Sequence, residues 1–229
     1  FEVTETLRQL TGLGLARAEN LVDATQNTDD LVEVSGILKA HAVNLLKICS
    51  DLRLLSSGPD AGLAELRLPR RQAGSSIMPG KVNPVIPEAV SQVAMQVIGN
   101  DASLTLACAS GCLELNPFLP LVAMNLLDNL ELLARADDIL CRHCVAGISV
   151  DEQRCRLQVL NATAAVTALL PILGHERAGE LARLADQTGT SVRELALARF
   201  GISGQLFDQL TSATAVCRLG FVPLTDQNQ

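Results

Sequence analysis

The sequence predicts an all-α fold: a bundle of long helices followed by a small C-terminal helical domain. Three observations carry this. Apolar residues recur at spacings of three and four over stretches longer than an ordinary helix, those stretches are nearly free of proline, and β-type alternation is scarce. The chain has 229 residues, 48% of them hydrophobic and 19% charged. That is long enough to bury a substantial core and too apolar for a disordered chain.

The elements follow in order. Leu31, Val34, Leu38, Ala42, Leu45, Cys49, Leu52 and Leu55 form one helical stripe, interrupted only by Gly36 and ended by the turn residues Ser56-Ser57-Gly58-Pro59. Such a segment is roughly 37 Å long, a length suited to a bundle. Residues 58–87 hold several prolines and no helical period, so they read as an ordered loop. A second stripe starts at Ile86, Val90, Val93 and Val97 and runs towards Leu115. Asn116-Pro117 and Pro120 interrupt it, and a third helix covers Leu121 to Arg142. Residues 1–146 are therefore expected to form part of a helical bundle, and residues 147–229 a separate small domain. There, Ser149 and Glu152 make a capping-box pattern opening a helix to Leu170, where Pro171 and Gly174 stop it. A helix over 176–185 follows. Ser191 and Glu194 repeat the capping pattern before a short helix closed by Gly201, and a last helix spans 205–210 after Ser203-Gly204.

Composition excludes several functions. A net charge of −7 and a pI near 5.0 lack the basic footprint of a nucleic-acid binder, and with no Trp or Tyr and five Phe there is no platform for stacking bases. No uncharged apolar run approaches the roughly 18 residues of a membrane-spanning helix. Seven cysteines are an odd number spread over helical patterns, which reads as free thiols in a reducing compartment, the cytoplasm. The chain opens on Phe1 and its methionines are Met78, Met95 and Met124, so it is expected to be a portion of a longer protein. Helices this long with continuous leucine seams cannot all be covered within 229 residues. Exposed apolar patches, and hence self-association, are expected.

The most informative stretch is Gly74-Ser75-Ser76-Ile77-Met78-Pro79-Gly80-Lys81-Val82-Asn83-Pro84. Its glycines and prolines give a defined but movable backbone, as a catalytic lid requires. Two hydroxyls, one ammonium and one carboxamide fall within nine residues. The only other lysines are Lys39 and Lys47. A compact cation beside an amide donor suits a small carboxylate, and the dipole of the helix that starts nearby also favours an anion. Read without further context, the same residues make a stiff connector whose serines cap turns.

That stretch resembles the G-S-S-x-M-P-x-K-x-N-P motif of the fumarase/aspartase superfamily, and every defined position matches. The resemblance extends through Ser50–Pro59, Gln96–Asp101 and Thr190–Leu195. The segments Asn83-Pro84-Val85-Ile86-Pro87-Glu88 and Ala24-Thr25-Gln26-Asn27-Thr28 are more similar to the aspartate ammonia-lyase branch than to fumarate hydratase. Asp60 departs from the family, which commonly has Arg there.

The resemblance implies a lyase that eliminates ammonia from L-aspartate to give fumarate, without metal or coenzyme. A proton leaves the carbon β to the amino group, the leaving group departs anti to it, and the intermediate is an aci-carboxylate. Stabilising its charge in a dry site would dominate catalysis. By position in the motif, Ser75 would be the general base as an oxyanion held by loop N–H groups, and Ser76 would touch substrate or brace the loop. Lys81 and Asn83, with Val82 between them in the substrate-binding set, would hold a substrate carboxylate. Glu88 would orient a family histidine, although it is equally an ordinary first-turn acid. The family builds each site from three regions of different subunits of a homotetramer. This chain carries only the third, so alone it is expected to be inactive. None of His41, His143 or His175 has a matching context.

Rival readings are fumarate hydratase and a non-catalytic helical assembly module. Cys141-Arg142-His143-Cys144, with Cys108 and Cys112, invites a zinc site. Those thiols lie on apolar helical faces, however, where free cysteines act as small hydrophobes. His41 reads as a packed or interfacial imidazole, Asp137-Asp138 as a solvated face, Asp29-Asp30 as a helix start, and Leu126, Leu130 and Leu133 as core or interface.

Overall fold

The computed structural model describes residues 2–58, 61–74, 78 and 80–218, and spatial proximity along the backbone divides the chain into two units, Phe1–Val150 and Asp151–Gln229. In the first unit, α1 (Glu2–Thr11) and the one-turn α2 (Asp23–Gln26) precede three long helices: α3 (Asp29–Leu55), α4 (Val85–Ala109) and α5 (Leu119–His143). At 25 to 27 residues each is about 40 Å long. They run up, down and up, with α4 packed against both α3 and α5.

Two layers of core record that order. Leu104, Ala107 and Val122 meet Leu31 and Val32 at one end, where α3 and α5 begin and α4 finishes. Towards the other end, Ala42, Leu45 and Cys49 of α3, Val90, Ala94 and Val97 of α4, and Leu133, Ala136 and Leu140 of α5 form one cluster. Many of these side chains are small, so the helices approach closely. The fold is all-α as the periodicity predicts.

Two boundaries differ from expectation. Helix α4 stops at Ala109 rather than near Leu115, because Asn116 turns back and its Nδ2 donates to the carbonyls of Ala107 and Cys108, both at 3.2 Å. That carboxamide satisfies last-turn acceptors which a continuing helix would have bonded itself. Helix α5 begins at Leu119 with Pro120 inside its first turn, where a missing N–H costs nothing.

Polar contacts set the register of the three helices. Ser35 Oγ donates to Asp101 Oδ1 at 2.8 Å, and Lys39 Nζ donates to Asp101 Oδ2 at 2.6 Å. Next along α4, Asn100 Nδ2 donates to Asn129 Oδ1 of α5 at 2.8 Å. Asp101 is buried, and the Lys39 side chain is half-exposed. His41 is also half-exposed and meets Asp137 of α5 at 2.9 Å, while Asp138 pairs with Arg142 one turn on. Leu133 is buried, whereas Leu130 is partly open.

The outer flanks remain apolar. Ile37 on α3, Leu106 on α4 and Leu127 on α5 are 64%, 70% and 65% exposed. Among the described residues, no helix is long and apolar enough to cross a membrane.

A two-residue antiparallel ladder joins β1 (Leu66–Arg67) to β2 (Ser149–Val150), pairing Leu66 with Val150 and Arg67 with Ser149. Ser149 is thus a strand residue. The cap of α6 (Glu152–Asn161) is Asp151, whose carboxylate accepts from the Arg154 N–H at 3.0 Å.

The second unit has its own core of Leu169, Leu173, Leu181, Val192, Leu195, Ala196 and Phe207. Helix α6 does not reach Leu170. It ends at Asn161, where Ala162 is extended, and a 3₁₀ segment, Thr163–Leu169, follows. Asn161 and Thr163 are weak helix formers. Helix α7 (Leu170–Thr188) carries a break at Gly174 (φ 70°, ψ 171°), a conformation essentially reserved for glycine. Ser191 caps α8 (Val192–Arg199) through the Glu194 N–H, and Ser203 caps α9 (Gly204–Leu210) through the Leu206 N–H, each at 3.2 Å. Arg193 grips Asp208 through two bonds of 2.9 Å, holding that carboxyl below its ordinary range. The one-turn α10 (Ala213–Val216) closes the described chain.

Two expectations follow. Lys39→Ala strands a buried carboxylate and lowers the unfolding free energy by about 2 kcal/mol, more than Asp101→Asn, which keeps the Ser35 contact. Urea denaturation of both variants measures the difference, and equal losses would contradict the pairing. Burial pushes the Cys49 thiol up to about 11 from 9.0, and burial also raises Cys144. A raised folded pKa contributes stability that is intact below the unfolded value and lost as pH climbs through the folded one. Stability therefore declines between about pH 9 and pH 11, and Cys49→Ala makes that decline shallower. Denaturant midpoints across this range decide it: parallel curves for the two proteins would remove the thiol as cause.

Candidate functional site

The candidate site is the stretch from Gly74 to Glu88, leading from the loop into α4. Ser75, Ser76, Ile77, Pro79 and the departing Asp60 lie outside the described residues. The remaining named residues, Lys81, Val82, Asn83 and Glu88, fall on the arm that runs into α4. Lys81, Asn83 and Glu88 are half-buried, and Val82 is 42% exposed.

The local sequence builds this arm from turn chemistry. The Lys81 N–H donates to the Met78 carbonyl at 3.2 Å, with Gly80 at φ 85°, where a Cβ would be strained. The Val85 N–H donates to the Asn83 carbonyl at 2.9 Å, and the Glu88 N–H makes the first helical bond, to Pro84, at 3.0 Å. Pro84 and Pro87 have no N–H, and that of Val85 is already spent. Few free backbone donors therefore remain at this helix end, beside the ammonium of Lys81 and the carboxamide of Asn83, the two residue types there that can donate to an anion. Glu88 sits in the first turn of α4, and its carbonyl accepts from Gln92 Nε2 at 3.3 Å.

The entry arm is tied down residue by residue. The Glu65 N–H donates to the Leu55 carbonyl at 2.9 Å as the chain leaves α3. Leu66 and Arg67 pair with β2, and Leu68 packs on the main core cluster. Pro69 lies so close to Gly147 that a Cβ there would meet its Cγ at 2.6 Å. Arg71 Nε donates to the His143 carbonyl at 2.8 Å, and its Nη2 to the Arg142 carbonyl at 3.4 Å. Arg70 Nε donates to the Gln72 carbonyl at 3.3 Å. At the neck, Gly74 approaches the far arm: a Cβ on it would lie 3.0 Å from Arg70 Nη2 and 3.1 Å from the Lys81 carbonyl. Gly74 and Lys81 are thus brought together, closing the base of the loop.

Sequence reasoning missed Arg70 and Arg71, and missed Lys39 as the partner of Asp101. An Arg-Arg pair just ahead of a glycine-bearing loop was the available signal. Among the described residues, no three His, Cys, Asp or Glu side chains converge as metal ligands. Cys144 is buried and Cys141 exposed.

A family profile described as "Lyase" matches residues 2–99, and one described as "Fumarase C C-terminus" matches residues 166–218. The aspartate ammonia-lyase of Pseudomonas fluorescens is 47% identical over 220 residues, which are 96% of this chain and 46% of that protein. Among solved structures, the fumarate lyase:delta crystallin of Brucella melitensis superposes with a TM-score of 0.86 at 47% identity, covering 92% of this chain and 45% of that one. The class II fumarase of Schistosoma mansoni gives 0.81 at 33% identity, with 92% and 47% covered. The chain spans about half the length of the curated relatives it matches.

The neck geometry makes a prediction. Gly74→Ala places a methyl against the Lys81 backbone and pushes the two arms apart, at a cost of about 1–2 kcal/mol. Amide hydrogen exchange checks this: protection at Lys81 should fall while the interior of α4 stays protected, and unchanged protection at Lys81 would refute it.

Proposed function

Because this chain belongs to the fumarase/aspartase superfamily, we propose that it forms part of a lyase that eliminates ammonia from L-aspartate to give fumarate. The observation that carries the reading is the complete Ser75, Lys81 and Asn83 set in one loop of a chain 47% identical to an aspartate ammonia-lyase. In this reading the Ser75 oxyanion takes the proton from the carbon β to the amino group. The C–H electron pair moves towards the neighbouring carboxylate, giving an aci-carboxylate, and its return expels the amine. Lys81 and Asn83 hold that carboxylate, whose charge grows towards the transition state, so their contacts lower the barrier more than they tighten ground-state binding. Ser76 contacts substrate or braces the loop, Val82 lines the same arm, and Glu88 orients a histidine of the shared site.

The assembly proposed is a homotetramer with sites shared between subunits. The apolar flanks bearing Ile37, Leu106 and Leu127 support it, since faces of that kind are ordinarily covered. Seven free thiols, two of them buried in one core, support a reducing compartment such as the cytoplasm. A second reading, fumarate hydratase acting on malate, rests on the likeness to the Schistosoma fumarase. A non-catalytic helical module would keep the flanks but not need the loop's serine, lysine and amide.

Ultraviolet detection of fumarate from L-aspartate or L-malate, using the intact protein, separates the three. Release from aspartate supports the first reading, release from malate the second, and a folded assembly silent with both the third. Ser75→Ala should lower kcat roughly 10³-fold with assembly intact, and a variant keeping most of its activity removes Ser75 as base. Lys81→Ala should lower kcat/KM about 10²-fold or more. A change confined to KM would mean that Lys81 binds ground and transition states alike.

A further inference from the structure

We propose that Arg71 is a positioning residue for the serine strap, locking its entry arm onto the end of α5 by donating to the carbonyls of His143 and Arg142. The kinetic part of this proposal rests on the lyase reading above; the anchoring part does not.

The last carbonyls of a helix have no partner within it and carry the negative end of its dipole. Arg71 reaches two of them from 72 and 71 residues away in sequence, at 2.8 and 3.4 Å. A guanidinium presents a rigid fork that spans two acceptors at once, whereas an ammonium is a single point. Burial raises the Cys144 thiol at the cap of the same helix, and the Arg71 charge opposes that rise.

Arg71 completes a series. Residues 66–67 pair with 149–150, Leu68 packs, partly buried, on the core, Pro69 abuts Gly147, and Arg71 bonds to 142–143. After Arg71 the next described contacts are local, Arg70 to Gln72 and the neck at Gly74. Among the described residues, Arg71 therefore makes the last long-range hydrogen bonds before the loop. Four positions separate it from Ser75, a span of at most about 14 Å of extended chain. Freedom gained at Arg71 passes directly to the entry arm. Lys81 and Asn83 sit on the opposite arm, which α4 holds independently, so substrate grip and base position are served by different anchors.

The test compares intact wild-type protein with Arg71→Ala and Arg71→Lys. Without substrate, amide exchange in the β1–β2 ladder, the hydrogen-bonded part of the entry arm, should quicken about ten-fold in Arg71→Ala while the interiors of α4 and α5 keep their protection. With L-aspartate, kcat should fall about ten-fold with KM held within about two-fold. The primary deuterium isotope effect at the β carbon should rise, because only proton removal is slowed. A smaller folded fraction would lower kcat but leave the isotope effect where it was. Arg71→Lys, keeping one donor, should recover part of both. Unchanged exchange in the ladder overturns the anchor, and so does a fall in kcat with no change in isotope effect. Should wild type release no fumarate, the lyase reading fails while the exchange measurement still decides whether Arg71 holds the arm.

Discussion

Two consecutive side chains on α4, Asn100 and Asp101, reach in opposite directions, one to Asn129 on α5 and the other to Ser35 and Lys39 on α3. The apolar seam beside them includes Ala42, Ala94 and Ala136 together with larger residues such as Leu45 and Leu133, and apolar contacts of this kind are non-directional. A buried carboxylate does not tolerate an axial slide, because leaving its partners strands a charge in the core. Dispersion and the hydrophobic effect bring the three helices together, and this polar pair selects one axial alignment, as a single core asparagine does in a coiled coil. Everything that α4 carries at its N-terminus takes its height from that alignment.

The loop between α3 and α4 has two supports of different kinds. On the exit side it continues directly into α4, so Lys81, Asn83 and Glu88 inherit the rigidity of the bundle. The entry side has no helix behind it. It is fastened to the segment from Arg142 to Val150 by a short ladder, a proline seated on a glycine and a guanidinium, and a partly buried leucine packs on the neighbouring core. A Cβ at Gly147 would collide with Pro69, and one at Gly74 would crowd Arg70 and the Lys81 carbonyl. The two described arms are thus held by separate supports and come together at the neck, where Gly74 approaches the Lys81 carbonyl.

Much of the fold was legible because long helices announce themselves through repeated local spacing. The stripe from Leu31 to Leu55 and the cap at Ser191 needed nothing beyond neighbouring residues. Where expectation and structure part, a contact from elsewhere decided the matter. Asn116 ended α4 early, the Arg67–Ser149 pairing took Ser149 away from the cap of α6, and both signals come from residues a local pattern cannot weigh. Strands of two residues are too short to show any period. The candidate site was legible as residue types in a specific motif. Its supports were not: Arg71 finds His143 72 positions away, and Lys39 finds Asp101 62 positions away.

The outward Ile37, Leu106 and Leu127 bear on how this molecule responds to dilution. If such flanks are covered by another copy, the free energy of covering them is counted per encounter, and mass action makes the folded population a function of protomer concentration. Thinning the solution would then loosen the bundle before any bond within a single chain had weakened. A melting temperature for this molecule would have meaning only beside the concentration at which it was taken.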